Sequence, residues 1–171
     1  MVSWLAQDGA GRSAANAAAL VLGFGNVLLS DDGAGVQIVE RLRAILGADA
    51  ADFIDAGTLS FSLLPYIEAT DAMLAIDAAD IDSPAGSIGL FEGPAMDEFL
   101  SSARRRTVHE VGLIDLLDMA RLRDCLPRRR ALLCIQPSRI DWSETLSAPV
   151  ADALPEAVRQ ATALLHHWKT H

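Results

Sequence analysis

Ala19-Leu20-Val21-Leu22-Gly23-Phe24-Gly25-Asn26-Val27-Leu28-Leu29-Ser30-Asp31-Asp32-Gly33-Ala34-Gly35 reads as a strand, a turn and the entry to a helix. The apolar residues from Leu20 to Phe24 run without alternation, as in a strand covered on both faces. From Gly33 the period changes. Val36, Val39, Leu42 and Ile45 or Leu46 recur at helical spacing, and Gly47 is a stop signal. Open α/β sheets place their ligands at such a junction, outside the carboxyl ends of the strands. The content of this junction is acidic. Asn26, Asp31 and Asp32 stand where a phosphate-binding loop offers bare backbone amides, and a carboxylate pair repels phosphate and attracts a cation.

Outward from this stretch, strands and helices alternate. Asp52–Ile54 reads as a second strand running into Asp55, Ala56, Gly57 and Thr58. Ser60–Ala69 carries Leu63, Leu64 and Ile67 on one helical face, and Met73–Ile76 is a third strand ending at Asp77. After the turn signal Ser83-Pro84-Ala85-Gly86, Ser87–Phe91 is a fourth strand and Pro94–Leu100 a short helix. Arg104, Arg105 and Arg106 lead to His109, placed just before a helix with Leu113, Leu116, Leu117 and Ala120 on its apolar face. Ala131–Ile135 is a fifth strand closed by Gln136-Pro137, and 138–147 is loop. A last helix faces inward through Val158, Ala161, Leu165 and Trp168, with Pro155 marking its first turn. The expected fold is α/β: a mostly parallel five-stranded sheet with helices on both faces, in a single domain.

Composition narrows the function. The 171 residues are half apolar, enough for one buried core, and carry 14 basic against 23 acidic side chains for a net charge of −9. This balance excludes general nucleic-acid binding, which needs a basic surface. Residues 1–18 read as a flexible leader before a domain over 19–171. Asp8 and Arg12 interrupt the leader, and the apolar segment 17–25 falls short of the roughly 20 residues that span a bilayer. The expectation is a cytoplasmic protein with no membrane partner. Cys125 and Cys134 have neither metal-type nor redox spacing. The arginine runs at 104–106 and 128–130 read as solvated faces.

Three strand ends share one property. The first strand leads into Asp31 and Asp32, the second ends at Asp55 and the third at Asp77. In a doubly wound sheet these ends lie along one edge. His109 is placed to reach the same edge and is the one histidine outside the C-terminal tail. Two carboxylates and an imidazole suit a borderline divalent ion such as nickel or zinc. Each residue also has a plainer role. Asp31 or Asp32 can cap the following helix, Asp55 beside Gly57 can hold a turn, and His109 can be structural. Gly23 and Gly25 fit the start of a dinucleotide turn, but Leu28 occupies its third glycine position. No Gly-x-Ser-x-Gly elbow occurs, which leaves carboxylate, histidine and metal chemistry.

The ordered set of motifs resembles the [NiFe]-hydrogenase maturation endopeptidases. The resemblance starts with Gly23 to Val36 and continues through Asp55-Ala56-Gly57-Thr58 and Leu74-Ala75-Ile76-Asp77-Ala78. It goes on through His109-Glu110-Val111-Gly112-Leu113 with Asp115-Leu116-Leu117, then Ile135-Gln136-Pro137 and the patches at 146–155, so it covers about 20–165. It implies an α/β endopeptidase that removes the C-terminal peptide of a hydrogenase large-subunit precursor after nickel insertion, with the bound nickel as recognition signal. The family's metal-binding residues map onto Asp32, Asp77 and His109. Many relatives carry glutamate at the first of these. Where the family commonly has a second glycine, Ala56 stands, which questions a positive φ there.

Three mechanisms remain open at this level. The trio can bind the nickel already held by the precursor, docking the scissile bond beside it. A divalent metal held by the free protein can polarise the carbonyl or acidify a water. A carboxylate base, Asp31 or Asp55, can carry the hydrolysis. Two functions of other classes also fit an acidic strand end. One is a phosphoryl-accepting receiver with a magnesium site, which needs a lysine after the fifth strand where Gln136 and Pro137 stand. The other is a non-catalytic, nucleotide-binding flavodoxin-like module, against which the acidic loop counts. The oligomeric state is open.

Overall fold

The computed structural model describes residues 19–57, 61–103 and 108–170. The leader expected over 1–18, Thr58 and the arginines at 104–106 lie outside the described residues. Five strands form one sheet: β1 (Leu20–Phe24), β2 (Asp52–Gly57), β3 (Ala72–Ala78), β4 (Ile88–Glu92) and β5 (Arg129–Ile135). Their order is β2-β1-β3-β5-β4, with every pairing parallel except β4 against β5. The helices are α1 (Ala34–Leu46), α2 (Leu64–Glu68), α3 (Pro94–Ala103), α4 (Val108–Leu122) and α5 (Ala148–Thr170). The expected class is therefore the observed one.

The unbroken apolar runs have their cause in the two layers that cover the sheet. On one face Val21, Leu74, Ile76 and Leu133 pack with Ile38, Val39 and Leu42 of α1 and Val150, Leu154, Ala157 and Leu165 of α5. On the other face Leu20, Leu22, Met73 and Leu132 pack with Ile67, Met96, Leu113, Leu116 and Leu117 of α2, α3 and α4. Successive strand residues point to opposite faces, so both sets are apolar.

Several boundaries differ from the sequence reading. β2 continues through Asp55 to Gly57, and β3 through Asp77 to Ala78, because ladder pairing with neighbouring strands extends past the apolar core residues. Ser60–Ala69 divides into a 3-10 turn, Phe61–Leu63, and the short α2. Ile45 is exposed, and Leu46 packs on the core in its place. His109 is the second residue of α4, not a residue before it. Pro155 lies inside α5, whose first turn instead contains Pro149. The missing amide at 155 is tolerated because Val150, Leu154, Ala157 and Val158 anchor the helix on both sides of it. β4 is antiparallel for a topological reason. The short connection from β3 contains no helix to carry the chain back across the sheet, so β4 starts at the edge where β3 ended.

Candidate active site

β1 is followed in the chain by β2 on one side, while β3 lies on its other side. The crevice between the carboxyl ends of β1 and β3 is therefore the topological switch point. Gly23 of β1 is level with Ile76 of β3, so Phe24 and Asp77 end the two strands side by side. The chain after β1 folds back over this crevice. A Cβ on Gly35 would lie 2.4 Å from both the Phe24 and the Ile76 carbonyl oxygens. The entry to α1 thus rests on both strand ends, an approach only glycine allows. Gly25 makes the preceding reversal, with φ of +114° and room for no Cβ against the Asp32 carbonyl.

Between these glycines the acidic pair sits in a 3-10 turn, Ser30–Gly33, which contacts β3. Asp32 and Asp77 are each 3% exposed, so two carboxylates are buried at one strand-end crevice. The Asn26 amide donates to Asp32 Oδ2 at 2.7 Å, and the Ala78 amide donates to Asp77 Oδ1 at 2.8 Å. Both carboxylates are oriented by backbone amides, and their oxygens are donors of the kind that suits a divalent cation.

Asp31 has a different surrounding. It is fully buried and accepts four hydrogen bonds from the loop after β5. Ser138 and Arg139 donate their amides to Oδ2 at 2.8 and 3.0 Å. Ser147 donates its amide to Oδ1 at 2.6 Å and its hydroxyl to Oδ2 at 2.8 Å. Burial pushes its pKa up, but the bonds from Ser147, Arg139 and Ser138 together outweigh it, and the carboxyl lies below its ordinary value. Asp55 is exposed in β2 and its Oδ1 accepts from the Gly57 amide at 2.9 Å. The positive φ in this motif falls on Gly57, at +50°, while Ala56 is buried in the core in an ordinary conformation.

The start of α4, which carries His109, is brought to the same edge by topology. α4 is 15 residues long, about 22 Å, and β5 is 7 residues, about 23 Å. The two are joined by a short connection at the amino end of β5, so α4 starts level with the carboxyl ends of the strands. The side chain of His109 lies outside the described residues. Among the described residues no three histidine, cysteine or acidic side chains converge as a metal-binding group.

Ser30 and Ser147 are the residues that local pattern did not reveal. Ser30 is 1% exposed with φ of 54°, and its hydroxyl donates to the Thr145 carbonyl at 3.0 Å and accepts from Arg139 Nε at 3.2 Å. Strained residues of this kind persist where neighbours over-determine them. In the run at 128–130, Arg128 and Arg129 are exposed as expected, although Arg129 also bonds the Trp168 carbonyl, and Arg130 is half-buried and pairs with Asp97.

A doubly wound sheet with paired carboxylates at its switch point, taken with the match of 36–164 to the family model for hydrogenase maturation proteases, defines the class. The chain belongs to that family and is a peptidase. It is similar to the hydrogenase expression/formation proteins HupD of Rhizobium leguminosarum bv. viciae, at 31% identity over 87% of this chain and 74% of that one, and of Rhodobacter capsulatus, at 32% over 87% and 71%. Among solved structures, the hydrogenase maturating endopeptidase HybD from E. coli superposes with a TM-score of 0.81 at 27% identity, covering 88% of this chain and 93% of that one. The matched family span includes Asp77 and His109 and begins just after the acidic turn. Among the described residues no helix is long and apolar enough to cross a membrane.

Proposed function

We propose that the protein removes the C-terminal peptide of a [NiFe]-hydrogenase large-subunit precursor once nickel has been inserted, with the nickel as its recognition signal. The observation that carries this reading is the burial of both Asp32 and Asp77 at the switch point of a maturation-protease fold. Carboxylate oxygens gathered at one crevice are suitable donors for a divalent cation. With His109 at the start of α4 they form an oxygen and nitrogen donor set that suits a borderline divalent ion. In this reading the nickel arrives as part of the precursor, and the three side chains complete its coordination and so fix the adjacent scissile bond. Zinc or another divalent ion is a substitute ligand for the free protein.

The hydrogen bonding supports a division of labour. Asp31 has both oxygens committed and a lowered pKa, which makes it a poor proton acceptor and a good anchor. Asp55, exposed near the same edge, is the carboxylate left for a general-base role. The test is the intact mass of a large-subunit precursor incubated with the protein, with and without nickel. Shortening at the C-terminus of nickel-loaded precursor is expected, with poor cutting of nickel-free precursor. Alanine at Asp32, Asp77 or His109 should abolish cleavage with the fold intact. Full cleavage by all three variants would remove the assigned site, and equal cutting without nickel would remove the recognition model.

A further inference from the structure

Among the described residues, seven large apolar side chains are exposed, and four of them, Val27 at 43%, Leu28 at 44%, Ile140 at 53% and Trp142 at 82%, lie on two loops that are hydrogen-bonded to each other. The first loop is the acidic turn after β1, and the second is 138–147 after β5. Leu29 and Ser143 form a parallel bridge. The Ser143 amide donates to the Leu28 carbonyl at 3.0 Å, and the Ser30 amide donates to the Ser143 carbonyl at 2.6 Å. This register sets Trp142 beside Leu28. Scattered exposed apolar residues need no explanation, but a contiguous group containing a tryptophan with about 200 Å² of surface does.

The two loops are also locked together more firmly than surface loops require. Asp31 accepts its four bonds from Ser138, Arg139 and Ser147, and the Ser30 hydroxyl ties Arg139 and Thr145. Arg139 and Asp141, 3.8 Å apart and both exposed, offset each other's charge beside the apolar side chains. A rigid apolar platform is therefore built directly onto the turn that carries Asp32.

We propose that Val27, Leu28, Ile140 and Trp142 form the docking platform for the precursor polypeptide, taking apolar side chains that flank its scissile bond. This rests on the peptidase reading given above. What adjoins the patch identifies the occupant. A peptidase acts on a polypeptide, and Leu28 shares its loop with Asp32 while Trp142 is held beside Leu28, so a chain bound at the crevice adjoins this rim. Ser30 and Asp31 act as positioning residues that hold the two halves of the platform in register. A rigid, exposed aromatic anchor of this kind loses little freedom on binding and dominates interface energetics.

The test uses the full chain and two forms of the precursor. With nickel-loaded precursor, Trp142→Ala and Leu28→Ala should each raise KM about tenfold, and Trp142→Phe should restore most of the loss. With nickel-free precursor, binding followed by calorimetry should weaken by a similar factor. This arm reads the platform without turnover, so it stands even if cleavage by the wild type fails and the functional reading falls with it. Leu122→Ala, an exposed leucine on α4, serves as the control and should change neither quantity. Unchanged KM and unchanged binding in the Leu28→Ala/Trp142→Ala double variant would overturn the proposal. So would a wild-type dimer, seen by light scattering, that Trp142→Ala dissolves, because the patch would then belong to a second copy of the chain.

Discussion

Asp31 and Ser147 stand 116 residues apart and are joined twice: the serine amide reaches Oδ1 at 2.6 Å and its hydroxyl reaches Oδ2 at 2.8 Å. The neighbouring carboxylate, Asp32, takes its amide from Asn26 within its own turn instead. Two consecutive aspartates thus have opposite tasks. One ties the turn to the loop after β5, and the other is bonded from within its own loop, next to the strand end that carries Asp77.

Removal of the tie should be costly. Asp31→Ala deprives three amides and a hydroxyl of their acceptor, and we expect a loss of about 3 kcal/mol in unfolding free energy. Asp31→Asn keeps one carbonyl oxygen and should lose about half as much. Urea denaturation of the two variants measures both. A loss under about 0.5 kcal/mol for the alanine variant would contradict the anchoring role.

The same bonds set a pH dependence with a definite sign. In the fold, burial raises the Asp31 pKa but the hydrogen bonds outweigh it, so the folded value lies below the ordinary 3.8. A depressed carboxyl contributes stability that is present above its unfolded pKa and is lost as pH falls through the folded one. Asp97 acts in the same direction, chiefly through its hydrogen bond from Arg130. Stability should therefore fall with acidification below about pH 4. In Asp31→Asn this fall should be shallower when urea midpoints are compared across the acid range.

Asp32 should tolerate a change of length better than a change of charge. Asp32→Glu keeps a carboxylate, and we expect measurable processing of nickel-loaded precursor. Asp32→Asn is close to isosteric but loses the charge at the crevice. Cleavage should fall on the order of 100-fold, equal to about 2.7 kcal/mol of transition-state stabilisation. Single-turnover rates by intact mass would separate the two, and an active asparagine variant would exclude Asp32 as a charged ligand.

Gly35 and Gly47 offer a comparison of crowding with backbone preference. A Cβ at Gly35 meets two carbonyl oxygens at 2.4 Å, both belonging to strand ends that cannot yield cheaply. Gly35→Ala should cost about 3 kcal/mol and reduce processing by separating the acidic turn from β3. At Gly47 nothing lies within 4 Å, but φ is +85°. Gly47→Ala should cost about 2 kcal/mol, through backbone conformation alone, and leave processing unaltered. Thermal denaturation with a parallel cleavage assay distinguishes the two.

Much of this molecule is legible in one dimension. The unbroken apolar strands, the helical period from Val36 and the acidic ends of β1 and β3 are local patterns, each read within a few residues. That locality is why the sheet class, and the placing of Asp32 and Asp77 at strand ends, follow from the sequence. The helix start at His109 and the first turn of α5 were less legible. In α5 the local cue, an internal proline, was overridden by an apolar face that begins before it at Val150 and Leu154.

Other features depend on partners distant in the chain, and only the tertiary structure decided them. The direction of β4 follows from a connection too short to cross the sheet. The platform of Leu28 and Trp142 arises from two loops brought together by the sheet order. The division between Asp31 and Asp32 is the clearest case. Adjacent, chemically identical side chains carry no local sign of which will face the crevice. The choice is made by amide and hydroxyl donors from 138–147, which reach Asp31 because β5 ends two strands away from β1 at the same edge. Hydrogen bonds satisfied over such separations leave no periodic trace in the sequence, and the fold alone assigns them.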